Sequence, residues 1–284
     1  MRVIRARTAG FCLGVSLALR RLDQEVAAFR RDGGQRLFSF GPIIHNPSVI
    51  SRYADLGVEI LDAADRARPG DRVVIRAHGL PRSLEADLAA RGAVLADATC
   101  PRVKKAQLVI ADQSAAGRVL LLFGEAEHPE VRGLLSYAGE SLVFGHPDEA
   151  AALPLREGAF YALAAQTTQD QFRFEQSARL LSRRLGPRLT VLRTICDATR
   201  RRQREAVLLA KEVDLVIVVG GLNSGNTRRL AEEARAQGAC ALHVEGAADL
   251  PLDRLRGRTV IGLTAGASTP ESQIDEVRNF LETL

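Results

Sequence analysis

At 284 residues, with 46% hydrophobic and 26% charged side chains, the chain has the length of roughly two compact units or three small ones, and ample apolar material for their cores. These proportions exclude a disordered, collagen-like or disulfide-scaffold chain, and the longest strong apolar run, Leu215 to Val219, is a strand's length rather than the ~18 residues of a membrane span. A net charge of +5, carried almost wholly by arginine, permits an anionic ligand, while three Tyr and no Trp give little basis for base stacking; neither nucleic acid nor a membrane is expected as a partner.

In chain order, Arg2, Arg5 and Arg7 precede a mostly apolar stretch, 9–19, that imitates a short signal peptide. No small-residue cleavage site follows, Arg20 and Arg21 arrive at once, and the bulky Phe11 precedes Cys12, so the segment is read as mature protein and the chain as cytoplasmic. Three apolar runs then each end in glycine: Leu37-Phe38-Ser39-Phe40-Gly41, Leu120-Leu121-Leu122-Phe123-Gly124 and Val216-Ile217-Val218-Val219-Gly220. Their composition predicts buried parallel strands. A polar loop follows each run, carrying His45, His128 with Glu130, or Ser224 with Asn226, and then a helix-length segment at 48–56, 131–137 and 227–237.

Each unit continues alike, which is the signature of an internal repeat. A second strand is predicted at 58–61, 141–144 and 241–244. A third leads into another polar tip: His78-Gly79 after Val73, Gln166-Thr167-Thr168 after Tyr161, and Ala265-Gly266-Ala267-Ser268 after Val260. Helices are predicted at 82–91, 171–185 and 271–284. The first two units end in strands, 94–100 and 190–196, that deliver Cys100 and Cys196; the third runs out, and its missing strand and cysteine stand at the start as Met1 to Arg5 and Cys12. The expected fold is therefore α/β, a trefoil of three quasi-equivalent lobes with small parallel sheets around a central cavity. Its lobes are 13–100, 101–196 and 197–284, the last completed by strand 1–12. Ligands of such sheets gather beyond the carboxyl ends of the strands, where all these tips lie.

Of the four cysteines, Cys12, Cys100 and Cys196 occupy equivalent strand ends, whereas Cys240 opens an ordinary strand and reads as a small core residue. Three thiolates can hold zinc or an iron–sulfur cluster. The close C-x₂-C pairs of structural zinc are absent, and a cubane held by three cysteines leaves one iron open. His45, His78, His128, Thr167, Thr168, Ser224, Asn226 and Ser268 form a set of donors suited to a phosphate or diphosphate, with Gly79, Gly225 and Gly266 admitting backbone amides. Glu130 is the carboxylate among these tips, where a proton donor would stand. The densest basic run, Arg200-Arg201-Arg202 with Arg204, reads as a solvated helix face.

Gly10-Phe11-Cys12-Leu13-Gly14-Val15, His45-Asn46-Pro47, Arg76-Ala77-His78-Gly79, Asp97-Ala98-Thr99-Cys100-Pro101, His128-Pro129-Glu130, Gln166-Thr167-Thr168, Cys196-Asp197-Ala198-Thr199, Asn223 to Asn226 and Ala265-Gly266-Ala267-Ser268 together resemble the LytB-type family of 4-hydroxy-3-methylbut-2-enyl diphosphate reductases, in order over essentially the whole chain. The resemblance implies the last step of the non-mevalonate isoprenoid pathway, in which an allylic alcohol is reduced and dehydroxylated to isopentenyl and dimethylallyl diphosphates. It implies a [4Fe-4S] cluster on Cys12, Cys100 and Cys196, with the open iron meeting the substrate's C4 oxygen. Glu130 and Thr167 are then the proton route; His45, His78, His128, Thr168, Ser224, Gly225, Asn226 and Ser268 bind the diphosphate. An external reductant such as ferredoxin or flavodoxin is implied as well. Leu222, Gly225 and Gln107 depart from the family's frequent Lys, Ser and His. A metal-free diphosphate-binding protein and a zinc hydrolase are the readings from other classes.

Overall fold

A computed structural model describes residues 1–32 and 36–284. In chain order the elements are β1 (Arg2–Arg5), α1 (Leu13–Asp32), β2 (Leu37–Phe40), α2 (Pro47–Asp55), β3 (Val58–Leu61), β4 (Arg72–Ile75), α3 (Arg82–Ala90) and β5 (Val94–Asp97). They continue as α4 (Pro101–Ala115), β6 (Val119–Phe123), α5 (Pro129–Leu135), β7 (Ser141–Phe144), α6 (Pro147–Ala152), β8 (Tyr161–Ala165), α7 (Gln171–Leu185) and β9 (Leu189–Val191). The last are α8 (Asp197–Leu209), β10 (Leu215–Val219), α9 (Gly225–Ala236), β11 (Ala241–Val244), α10 (Leu252–Leu255), β12 (Val260–Ala265) and α11 (Glu271–Thr283).

The strands form three four-stranded sheets, β3-β2-β4-β5, β7-β6-β8-β9 and β11-β10-β12-β1, and every pairing is parallel. The order is the same in all three, and β1 fills beside β12 the place that β5 fills beside β4. Its register, Arg2 opposite Val260 through Arg5 opposite Leu263, closes the third sheet with the start of the chain. The chain divides into two compact units. One comprises Met1–Ser16, Ile44–Arg52 and Asp197–Leu284 and holds the third sheet; the other comprises Leu17–Ile43 and Tyr53–Cys196 and holds the first two.

Burial on both faces explains why the central strands read as unbroken apolar runs. In β10, Leu215, Ile217 and Val219 pack with Ile274, Val277 and Leu281 of α11, while Val216 and Val218 pack with Ala206 of α8 and Leu230, Ala231 and Ala234 of α9. In β6, Val119, Leu121 and Phe123 meet Phe174, Leu181 and Leu185 of α7, and Leu120 and Leu122 meet Ala106 and Ile110 of α4. The period of two sends alternate side chains to opposite helical layers.

Two strands are shorter than the sequence predicts: the run 94–100 pairs only as Val94–Asp97, with Ala98 and Cys100 donating on to the Ile75 and Ala77 carbonyls at 3.0 and 2.9 Å, and the second is shorter still. The run 190–196 pairs only as Leu189–Val191, and the ladder ends on the bond from the Leu192 N–H to the Leu163 carbonyl, 2.7 Å. Beyond it the Thr194 side chain takes over both backbone positions, its hydroxyl donating to the Ala165 carbonyl at 2.6 Å and accepting the Ala165 N–H at 2.8 Å. No described helix is long and apolar enough to cross a membrane.

Candidate functional site

The three predicted cysteines share one local design. Each is the residue immediately before a helix: Cys12 before α1, Cys100 before α4 and Cys196 before α8. Each backbone N–H donates to the second residue beyond a strand of its own sheet: Cys12 to Ala267 O at 3.2 Å, Cys100 to Ala77 O at 2.9 Å, and Cys196 to Thr167 O at 3.0 Å. The glycines ending the first strands are equivalent too, Gly41, Gly124 and Gly220 donating to the last residues of β3, β7 and β11 at 2.8, 2.9 and 2.9 Å. All three cysteines are outside any disulfide and partly buried. Cys240 lies outside this pattern: it stands just before β11, packs on the third sheet's core, and its sulfur accepts from the Arg254 guanidinium at 3.4 Å.

In the second unit, Glu130 is 1% exposed at the second position of α5. Its Oε1 accepts the Thr167 N–H at 2.5 Å and its Oε2 the Thr167 hydroxyl at 3.0 Å. The Glu130 N–H in turn donates to Nδ1 of His128, the N-cap of the same helix, at 3.1 Å. Accepting at Nδ1 makes Nε2 the protonated nitrogen of the neutral ring, so His128 presents a donor on its far side. The His78 ring stands edge-on to it, centroids 5.3 Å apart. Thr168 follows Thr167 and accepts the Gln166 side-chain amide at 3.2 Å.

Two features of this unit go beyond the predicted set. Arg76, ahead of His78, has no carboxylate partner among the described residues; burial, with repulsion from Arg132 added, draws its guanidinium down to about 10, which keeps it cationic at neutral pH. It lies across Gly41, whose missing Cβ would meet Nη1 at 2.6 Å. Gln107 of α4 is 1% exposed, and neither its amide nitrogen nor its oxygen has a partner among the described residues; nor has the buried hydroxyl of Thr99. Both flank Gly79 (φ +72°), where a Cβ would stand 2.8 Å from the Gln107 nitrogen. An orphaned buried amide costs about 1–3 kcal/mol, so such groups mark a place completed by a ligand or water.

In the first unit, Ser224 caps α9, its oxygen accepting the Thr227 hydroxyl at 2.9 Å. Asn226 is buried one residue into the helix, and its side-chain nitrogen has no partner among the described residues. Gly225 opens α9 and is not among the glycines at positive φ, so its backbone suits any side chain. The Ser268 hydroxyl donates to the His45 carbonyl at 3.3 Å, and that carbonyl lies 2.6 Å from where a Cβ on Gly221 would stand. Gly266 is needed for close approach: a Cβ there would fall 1.9 Å from the Thr227 hydroxyl. Leu222 is exposed, its N–H bound to Glu245.

The arginine run corrects the sequence reading. Arg201 and Arg204 face solvent, but Arg202 is 5% exposed and its Nη2 donates to the Gly10 carbonyl at 2.6 Å, two residues before Cys12. The helical period places it with Thr199, Gln203, Ala206 and Leu209 on the inner face of α8. Glu205 holds the same segment through the N–H groups of Arg7 and Thr8, at 2.7 and 2.8 Å. Neither role is readable from a charge run.

The LytB protein family matches residues 3–282. The chain is 59% identical over 290 residues, covering all of both chains, to the 4-hydroxy-3-methylbut-2-enyl diphosphate reductase of Nitratidesulfovibrio vulgaris strain DP4. It is 40% identical to that of Geotalea uraniireducens, covering all of this chain and 98% of the relative. Among solved structures, a (E)-4-hydroxy-3-methyl-but-2-enyl diphosphate reductase described as the terminal enzyme of the non-mevalonate pathway is 34% identical, with TM-score 0.67 and full coverage of both chains. The Plasmodium falciparum E-1-hydroxy-2-methyl-but-2-enyl-4-diphosphate reductase shares the fold at TM-score 0.92 and 23% identity, over 98% of this chain and 87% of its own. The chain belongs to the LytB family.

Proposed function

We propose that the chain reduces 4-hydroxy-3-methylbut-2-enyl diphosphate to isopentenyl and dimethylallyl diphosphates, using a [4Fe-4S] cluster held by Cys12, Cys100 and Cys196. Full-length identity to enzymes of that name supports the reaction, and the single observation supporting the cluster is the shared setting of the three cysteines. Soft thiolates are the ligands such a cluster takes. When bound, it supplies one-electron transfer and an iron without a protein ligand.

The protein's own residues handle protons and charge. Replacing C–OH by C–H consumes two electrons and two protons and releases water. Glu130 is the buried proton store, and its bond to Thr167 is reversible in direction. With the carboxyl ionised the hydroxyl donates to Oε2; with it protonated, Oε2–H donates to Thr167 and frees that hydroxyl to turn toward the substrate. The diphosphate is assigned to His45, His78, His128, Thr168, Ser224, Gly225, Asn226 and Ser268. The α9 N-terminus and the unpartnered Asn226 amide support that assignment, and the unpaired charge of Arg76 adds attraction. Lobes bounded at 13–100, 101–196 and 197–284 with 1–12, and a cytoplasmic setting, complete the reading.

Anaerobic purification with iron and labile-sulfide assay, followed by conversion of the substrate with dithionite-reduced methyl viologen, tests the proposal. Near-stoichiometric cluster and both products are expected. An iron-free protein after reconstitution that still binds the diphosphate would instead make it a binding protein.

The diphosphate assignment carries a further expectation at Gly225. With no positive φ to protect, Gly225→Ser adds a hydroxyl donor at the start of α9 without backbone strain. A bond to a charged acceptor is worth about 1.5–3 kcal/mol, so isothermal titration should show substrate binding tightened roughly tenfold or more. Weaker binding would move the diphosphate away from this helix start.

A further inference from the structure

On the second unit, a groove of about 510 Å³ runs between α7 and the chain that leaves β9. Its walls include Phe174, Glu175, Arg179 and Arg183 of α7, Val191 of β9 and Arg193. Arg179 and Arg183 stand one helical turn apart on one face, where like charges repel, and Arg193 adds a third positive charge from the opposite wall. None of the three has an ion-pair partner among the described residues, while Glu175, the one acid lining the groove, accepts from the Gln171 amide at 2.6 Å. Val191 ends the edge strand of its sheet and is exposed. The groove is thus basic, with an apolar floor and rim.

Its place in the chain gives it a use. Arg193 is three residues before Cys196, at most about 11 Å along the backbone. Each turnover consumes two electrons, and a carrier that passes them singly must dock twice, losing one electron each time. We infer that this groove is the docking site of a small acidic one-electron carrier protein, whose surface carboxylates meet Arg179, Arg183 and Arg193 beside the chain leading to Cys196. The inference rests on the proposed role of Cys196. Charges spread over a helical turn and a second wall suit several carboxylates on a protein surface better than one small anion. Such complementarity acts mainly on encounter and on salt dependence.

The test uses the cluster-loaded protein and its Arg179→Glu/Arg183→Glu variant, both positions being exposed on α7. Oxidised single-cluster, one-electron ferredoxin is titrated onto each protein at low and high ionic strength, and turnover is driven either by reduced ferredoxin or by methyl viologen. The variant should bind ferredoxin at least about tenfold more weakly at low salt and lose most of the parent's salt dependence. Its KM for ferredoxin should rise by a similar factor, with viologen-driven turnover kept within about twofold. Unchanged ferredoxin binding, or an equal loss of viologen-driven turnover, overturns the inference. A parent that turns over with neither reductant overturns the proposed reaction instead, and the binding titration still decides the docking site.

Discussion

Glu130→Gln is expected to lower turnover at least about 10²-fold, the scale of losing a general acid, while substrate affinity changes far less. The amide matches the carboxyl in size, and its oxygen can still accept one of the two Thr167 bonds. What it cannot do is carry a proton. The other bond must also reorganise, because the amide nitrogen is a donor facing either an N–H or a hydroxyl that has to turn round. Steady-state kinetics with a viologen donor, beside substrate titration, separate the two effects. Turnover near the parent's would leave Glu130 as an acid at a helix start complementing its dipole. Thr167→Val should share the loss, since it removes the hydroxyl that Glu130 orients while keeping the N–H and the side chain's volume.

Replacing Cys12, Cys100 or Cys196 by serine is expected to remove the cluster or leave it labile, with turnover lost in each variant. A hydroxyl is a poor ligand for iron in such a cluster, and the three positions share one backbone setting, so the three variants should fail alike. Cys240→Ser is the internal control. Its sulfur packs at the edge of a core cluster near Arg254, so iron content and turnover should stay near the parent's. Iron per chain, labile sulfide and the visible absorption of anaerobically reconstituted protein read the difference. Equal iron loss from all four would remove the basis for singling out the three.

Much of this was decided by the sequence alone, because the repeat is written in local chemistry. Strands buried on both faces must be apolar at every position, so β2, β6 and β10 are legible as runs that stop at glycine, and the return of β1 to pair with β12 follows from a third repeat lacking its last strand. The cysteines and tip residues are legible for the same reason, since repeated positions are comparable within one chain. What only tertiary structure decided concerns partners far apart in sequence. Glu130 and Thr167 are 37 residues apart, and that the backbone N–H and the hydroxyl of Thr167 each donate to one carboxyl oxygen is a matter of packing between α5 and the β8 tip. Arg202 belongs by composition to a solvated run, yet the helical period turns it inward to the Gly10 carbonyl. The strand at β9 reads longer than it is because β-branched residues continue past Val191, while the Thr194 hydroxyl, not the backbone, makes the last bonds to Ala165. Gln107, Thr99 and Gly79 form a group only once α4 is laid against the β4 tip. Hydrophobic pattern and glycine punctuation act through nearest neighbours and are printed in the sequence; the pairing of buried polar groups depends on which surfaces meet, and folding alone sets that.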